Sequence, residues 1–227
     1  MAINLEKVTL EKQGDSHKID LTKSNFSNKE IIINLNWSQE KPEEQEQKKK
    51  GFWSRLFGDL LKSEIDLDLG CFYELNDGRK MVIDGIQFAH GQGGAKNILT
   101  KQGRYTDFPW VWHTGDDRSG SGSGENILVN PAGISSLKRI IVYCFIYEGV
   151  AKWADTNAVV TIKVPDNPDI VVEMGEQNST QKFCAIAEIL FNGNDSITVK
   201  KLVTFHFGAA QCDKMYNWGL TWTAGSK

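Results

Sequence analysis

The chain is poor in the features that mark nucleic-acid binders, membrane spans and the common enzyme classes. Lysine and arginine total 26 against 29 aspartates and glutamates, a net charge of −3 with a pI near 5.9. Neutralising phosphates needs a basic face, so no nucleic-acid partner is expected. No run approaches the ~20 apolar residues of a membrane-spanning helix. The opening MAINLEKVTLEKQGD has neither a basic n-region nor an apolar h-region, so no secretion signal is expected. The four cysteines, Cys71, Cys144, Cys184 and Cys212, show no CxxC spacing. They read as buried thiols of a reducing cytoplasm rather than a disulfide framework. Four scattered histidines give no zinc pattern. GxSxG is missing, and Gly120, Gly122 and Gly124 are followed by no Lys-Ser/Thr, so neither a nucleophile elbow nor a P-loop is present. A non-enzymatic protein is expected, with no catalytic residue and no organic cofactor. A metal-assisted hydrolase would have only His113 as a base.

What remains is strand. With 40% hydrophobic and 24% charged residues, 227 residues fit one globular domain. Period-two alternation or short apolar runs mark Ile31 to Trp37, Ile65 to Tyr73, Arg139 to Tyr147, Ala158 to Val164, Ile170 to Met174, Phe183 to Phe191 and Ile197 to Phe207. Turn formers separate the later ones in PDNPD, GEQNST and NGND. Trp218, Leu220 and Trp222 are expected on one face of a last strand. The pattern predicts an all-β antiparallel sandwich. Trp110, Trp112, Trp218 and Trp222 are assigned to core packing rather than to an aromatic platform.

One segment departs from this pattern. Residues 38–64 form an insertion that begins with the charged run KPEEQEQKKK and continues as GFWSRLFGDLLK. Trp53, Leu56, Phe57, Leu60 and Leu61 recur there at helical spacing, so a long loop carrying a short amphipathic helix is expected. Packing on the sandwich is favoured for segment 51–62. The alternative is docking on a membrane surface or protein partner, helped by Lys48 to Lys50.

The chemistry concentrates in acidic residues. Asp66 and Asp68 lie two apart on a strand and so point to one face, roughly 7 Å apart at Cα. GDDRSGSGSGEN supplies Asp116, Asp117, Glu125 and Asn126. Read alone, the first pair is a solvated acidic face and the second stretch a flexible linker. Read together, they offer hard oxygen ligands and a glycine-rich loop whose carbonyls can turn inward, as a calcium site needs. The loop is not an EF-hand. Counted from Asp117, the twelfth position, which should be a bidentate glutamate, is Leu128, and the flanks read as strand.

INLNW, DLDLGCFYELNDGRK, GDDRSG…GEN, IIVYCFIYEGVAKW and WGLTWTAGSK together resemble the tellurium-resistance (Ter) stress proteins, in the TerA-like branch of the TerD superfamily. The resemblance covers nearly the whole chain outside residues 38–64. It implies a β-sandwich, calcium bound by the DxD strand and the acidic loop, and a cytoplasmic bacterial role in resistance to tellurite and other stresses. Other stress-resistance proteins are the implied partners. The family loop runs GDNxTGxGxGDDE. Here Asp117 replaces its asparagine, Glu125 and Asn126 its two aspartates, and Ile127 its glutamate. Since affinity follows ligand charge, the expectation is one calcium site or a weakened pair, held by Asp66, Asp68, Asp116, Asp117, Glu125 and Asn126. Direct tellurite chemistry is not expected, because carboxylates repel an oxyanion and no paired low-pKa thiol is visible.

Overall fold

The computed structural model describes residues 6–23, 29–37, 65–84, 94–115, 123–148, 153–174 and 177–222. Its strands are β1 (Val8–Thr9), β2 (Ser16–Asp20), β3 (Ile31–Asn36), β4 (Asp66–Leu75), β5 (Lys80–Asp84), β6 (Gly103–Arg104), β7 (Val111–His113), β8 (Glu125–Val129), β9 (Leu137–Glu148), β10 (Val159–Lys163), β11 (Ile170–Glu173), β12 (Phe183–Asn192) and β13 (Ser196–His206). They are followed by helix α1 (Ala209–Tyr216). A seven-stranded sheet runs β1-β11-β10-β3-β8-β7-β6, and a six-stranded sheet runs β2-β13-β12-β9-β4-β5. Apart from the parallel β1–β11 pair, neighbouring strands are antiparallel. The expected all-β sandwich is what the chain forms. The insertion 38–64 and its segment 51–62 lie outside the described residues.

Alternation fills the space between the sheets. Ile31, Ile33 and Leu35 of β3 meet Leu67, Leu69 and Cys71 of β4 and Ile140, Val142 and Cys144 of β9 in one buried cluster. Each such side chain contributes about 1.5–3 kcal/mol on burial. A second cluster covers the outer face of the six-stranded sheet, where Phe72, Tyr143, Phe145 and Phe183 lie under Cys212 of α1 and Trp218. The rings of Phe72 and Tyr143 are 4.8 Å apart and those of Tyr143 and Phe183 4.6 Å. Strands β4 and β9 are therefore covered on both faces, which is why RIIVYCFIY is apolar almost throughout. Gly70 belongs to the same packing, since a Cβ there would enter the Tyr143 ring.

The last strand expected at Trp218, Leu220 and Trp222 does not form. The chain instead makes α1, whose C-cap Asn217 is left-handed at φ 57°. Asp213 then fixes the tail. Its carboxylate accepts the Gly219 and Leu220 amides at 2.9 Å each and the Trp222 indole N–H at 3.2 Å. Those bonds hold the backbone in a turn that a strand cannot follow. Arg139 lies 4.2 Å from the Trp218 ring centroid and donates to Tyr216 O at 3.2 Å, so the tail is seated from below as well.

At the opposite edge, Lys201 of β13 ties the sheets together. Its Nζ donates to Leu10 O at 3.1 Å, Glu11 O at 3.0 Å and Glu173 O at 2.9 Å.

Candidate metal centre

β4 carries Asp66 and Asp68 on the face opposite Leu67 and Leu69, which point between the sheets. The face is not solvated. Asp68 is fully buried and Asp66 is 7% exposed, so an exposed acidic stripe is excluded. Burying carboxylates is costly unless their charge is neutralised.

Glu125 opens β8 and shares the inward face with Ile127 and Val129. Gly124 feeds the chain into it at φ 70°, and a Cβ there would meet the Leu35 carbonyl, so glycine is required. The fully buried Glu125 carboxylate crosses to the other sheet, where Oε2 accepts the Leu69 amide hydrogen at 2.6 Å. His113, also fully buried, reaches the same residue from β7. Its Nε2 lies 3.2 Å from Leu69 O and 3.5 Å from Glu125 Oε2. Gly115 N–H donates to His113 Nδ1 at 3.1 Å. An accepting Nδ1 places the ring proton of a neutral imidazole on Nε2, directed at Leu69 O. Both polar groups of the Leu69 backbone are thus held by side chains from the facing sheet.

Burial pushes the Cys144 thiol pKa up, and the charges of Glu125 and Asp68 push it further. Asn126 is placed differently. Its Oδ1 accepts from Asn34 Nδ2 at 2.9 Å, and its backbone pairs with Asn34 in register, on the face of β8 away from Glu125. Asp116 and Asp117 lie outside the described residues. Of the six residues expected to bind metal, Asp66, Asp68 and Glu125 lie toward one end of the sandwich, the two aspartates on the outer face of β4 and Glu125 on the inner face of β8, and the Asn126 side chain turns away from Glu125.

The donor set is all oxygen and buried, which suits a hard cation. Among the described residues, no three acidic, histidine or cysteine side chains are grouped to hold an ion by themselves. A cation here would need further oxygens from 116–122, the stretch that joins the two described ends of the β7–β8 connection.

Comparison with known proteins agrees with this architecture. The chain is 34% identical over 226 residues, 99% of its length, to the tellurium resistance protein TerA of Alcaligenes sp. Its sequence is thus similar to that of a Ter protein. The chain spans 60% of the length of that curated relative. No family model matches the chain. Its fold is similar to the crystal structure of a homologue of telluride resistance protein TerD from Streptomyces coelicolor A3(2). There the TM-score is 0.50 at 16% identity, covering 82% of this chain and 94% of that one. Among the described residues, no helix is long and apolar enough to cross a membrane.

Two features of the candidate site were beyond the motifs. The Leu69 backbone is as much a part of it as any carboxylate, and no side-chain pattern announces a backbone edge. His113 carried a usable signal: in VWH it shares the parity of the buried Val111, which aims it into the core rather than at solvent.

Proposed function

We propose that this chain is a member of the Ter family, a calcium-binding, non-enzymatic stress protein of the cytoplasm that acts through protein partners in tellurite resistance. The observation that carries the reading is the full burial of Asp68 on β4 and of Glu125, whose carboxylate bonds the amide of the next β4 residue, Leu69, at the end of the fold where 116–122 connects. Carboxylates withdrawn from water at this end of the fold raise the free energy of the native state, and a divalent cation drawing further oxygens from that connection offsets it. Asp66, Asp68 and Glu125 would hold the ion, with Asp116 and Asp117 as the remaining side-chain ligands. His113 and the Leu69 backbone position Glu125. The ion supplies charge neutralisation and ties the β7–β8 connection to β4.

Several observations support a binding role over chemistry. Both His113 nitrogens are engaged in bracing. Burial pushes the thiols of Cys184 and Cys212 up, the latter to about 12, which leaves them poor nucleophiles toward tellurite. All four cysteines are free, in keeping with a reducing compartment. The test is calorimetric titration of chelator-stripped protein with calcium, alongside melting temperature. Saturable binding with an upward shift is expected; no heat and identical melting in chelator and millimolar calcium would sink the reading.

A further inference from the structure

We propose that the projecting turn 94–101 is a docking tip for an anionic lipid surface. All eight of its residues are exposed. Ile98 and Leu99 at its crest are 57% and 50% exposed, and they are the only consecutive pair among the large apolar side chains exposed in the described residues. The turn carries Lys96 and Lys101 and no acidic residue, in a chain of net charge −3. Its sign is opposite to that of the whole molecule, as attraction to anionic headgroups requires.

The crest is held out by the backbone. Ile98 N–H donates to Ala95 O at 3.1 Å, and Tyr105 N–H donates to Lys96 O at 2.8 Å. Gln102 anchors the base: its Nε2 donates to His113 O at 3.1 Å and its Oε1 accepts the Gly94 amide at 2.6 Å. Lys96 Nζ rests 5.0 Å from the Tyr105 ring centroid, which keeps its charge beside the crest. A preformed apolar tip loses little conformational entropy on insertion. Two aliphatic side chains suit shallow burial at the headgroup–acyl boundary, with lysines on the phosphates. They are too few for a protein interface of about 800 Å² per partner, and lysine is depleted in such interfaces.

The test is flotation of the full chain with vesicles of phosphatidylcholine and phosphatidylserine, against phosphatidylcholine alone. It is run in chelator, so failure of the calcium reading does not affect it. Wild type is expected to float with the anionic vesicles only. Replacing both lysines, Lys96→Gln with Lys101→Gln, should lower the partition coefficient about 30-fold. Ile98→Ser with Leu99→Ser should lower it at least about tenfold. Unchanged melting temperatures would show both variants folded. No flotation of wild type, or undiminished partition in either folded double variant, overturns the proposal.

Discussion

Glu125 and Leu69 belong to different sheets, yet the Glu125 carboxylate takes the Leu69 amide hydrogen at 2.6 Å. A side chain thereby does what a neighbouring strand usually does. Glu125→Ala strands that buried donor and should cost roughly 2–3 kcal/mol in urea unfolding. Glu125→Gln keeps an acceptor and should stay within about 1 kcal/mol of wild type in chelator. Equal losses in the two variants would show that the hydrogen bond is not what stabilises.

Asp68 and Asn126 should differ in their effect on calcium affinity. Asp68→Asn removes a fully buried charge and is expected to lower calcium affinity at least about tenfold. Asn126→Ala touches the Asn34 pair on the other face and should leave affinity within about threefold. Calcium titrations of both variants decide the ligand assignment.

Acid sensitivity has two origins. His206 is buried, and desolvation lowers its pKa below the ordinary 6.5. The unfolded chain then binds its proton first, so this contribution is complete above the unfolded value and is lost as pH falls below it. Burial alone would raise Glu74, but hydrogen bonds from Lys138 and Arg139 outweigh it and hold the carboxyl below its ordinary 4.5. That contribution is present above the unfolded value and disappears at lower pH. Urea midpoints should fall between pH 7 and 5, with a shallower slope in His206→Gln. An identical slope would remove His206 from the account.

Asp213 should prove a larger liability than its place on a short helix suggests. Asp213→Ala leaves the Gly219 and Leu220 amides and the Trp222 indole without their acceptor. The tail should lift from the outer aromatic cluster. A red shift in tryptophan emission and binding of a hydrophobic dye, with a loss of roughly 2–3 kcal/mol, are expected. Unaltered emission would show the tail held by packing alone.

The sandwich was legible because alternation encodes which face is buried. Ile31, Ile33 and Leu35 announce β3 as soon as they are counted. The tail misled for the same reason: Trp218, Leu220 and Trp222 alternate, but Asp213 captures the backbone before it can extend, and a side-chain acceptor several residues upstream leaves no periodic trace. The centre was half legible. DxD on a strand predicted a shared face, but not that the face would be buried, because the covering comes from residues distant in sequence. Glu125 and Asn126 are neighbours in the loop motif, yet entry into β8 sends their side chains to opposite faces. Membership of an extended strand decides that, and the loop's composition does not reveal it.

The Lys201 clamp sets an order of assembly. Leu10 and Lys201 stand 191 positions apart, and Glu173 O must also be in place before Nζ can complete its three bonds. Strand β1 has two residues and a parallel partner, so it gains little until that distant lysine arrives. Closing so long a loop for so few contacts makes docking of β1 a late event in folding and an early one in local opening. The Val8 and Leu10 amides, bonded to Asp169 O and Val171 O, should therefore exchange with solvent well before those of β9, although all of them lie in hydrogen-bonded sheet.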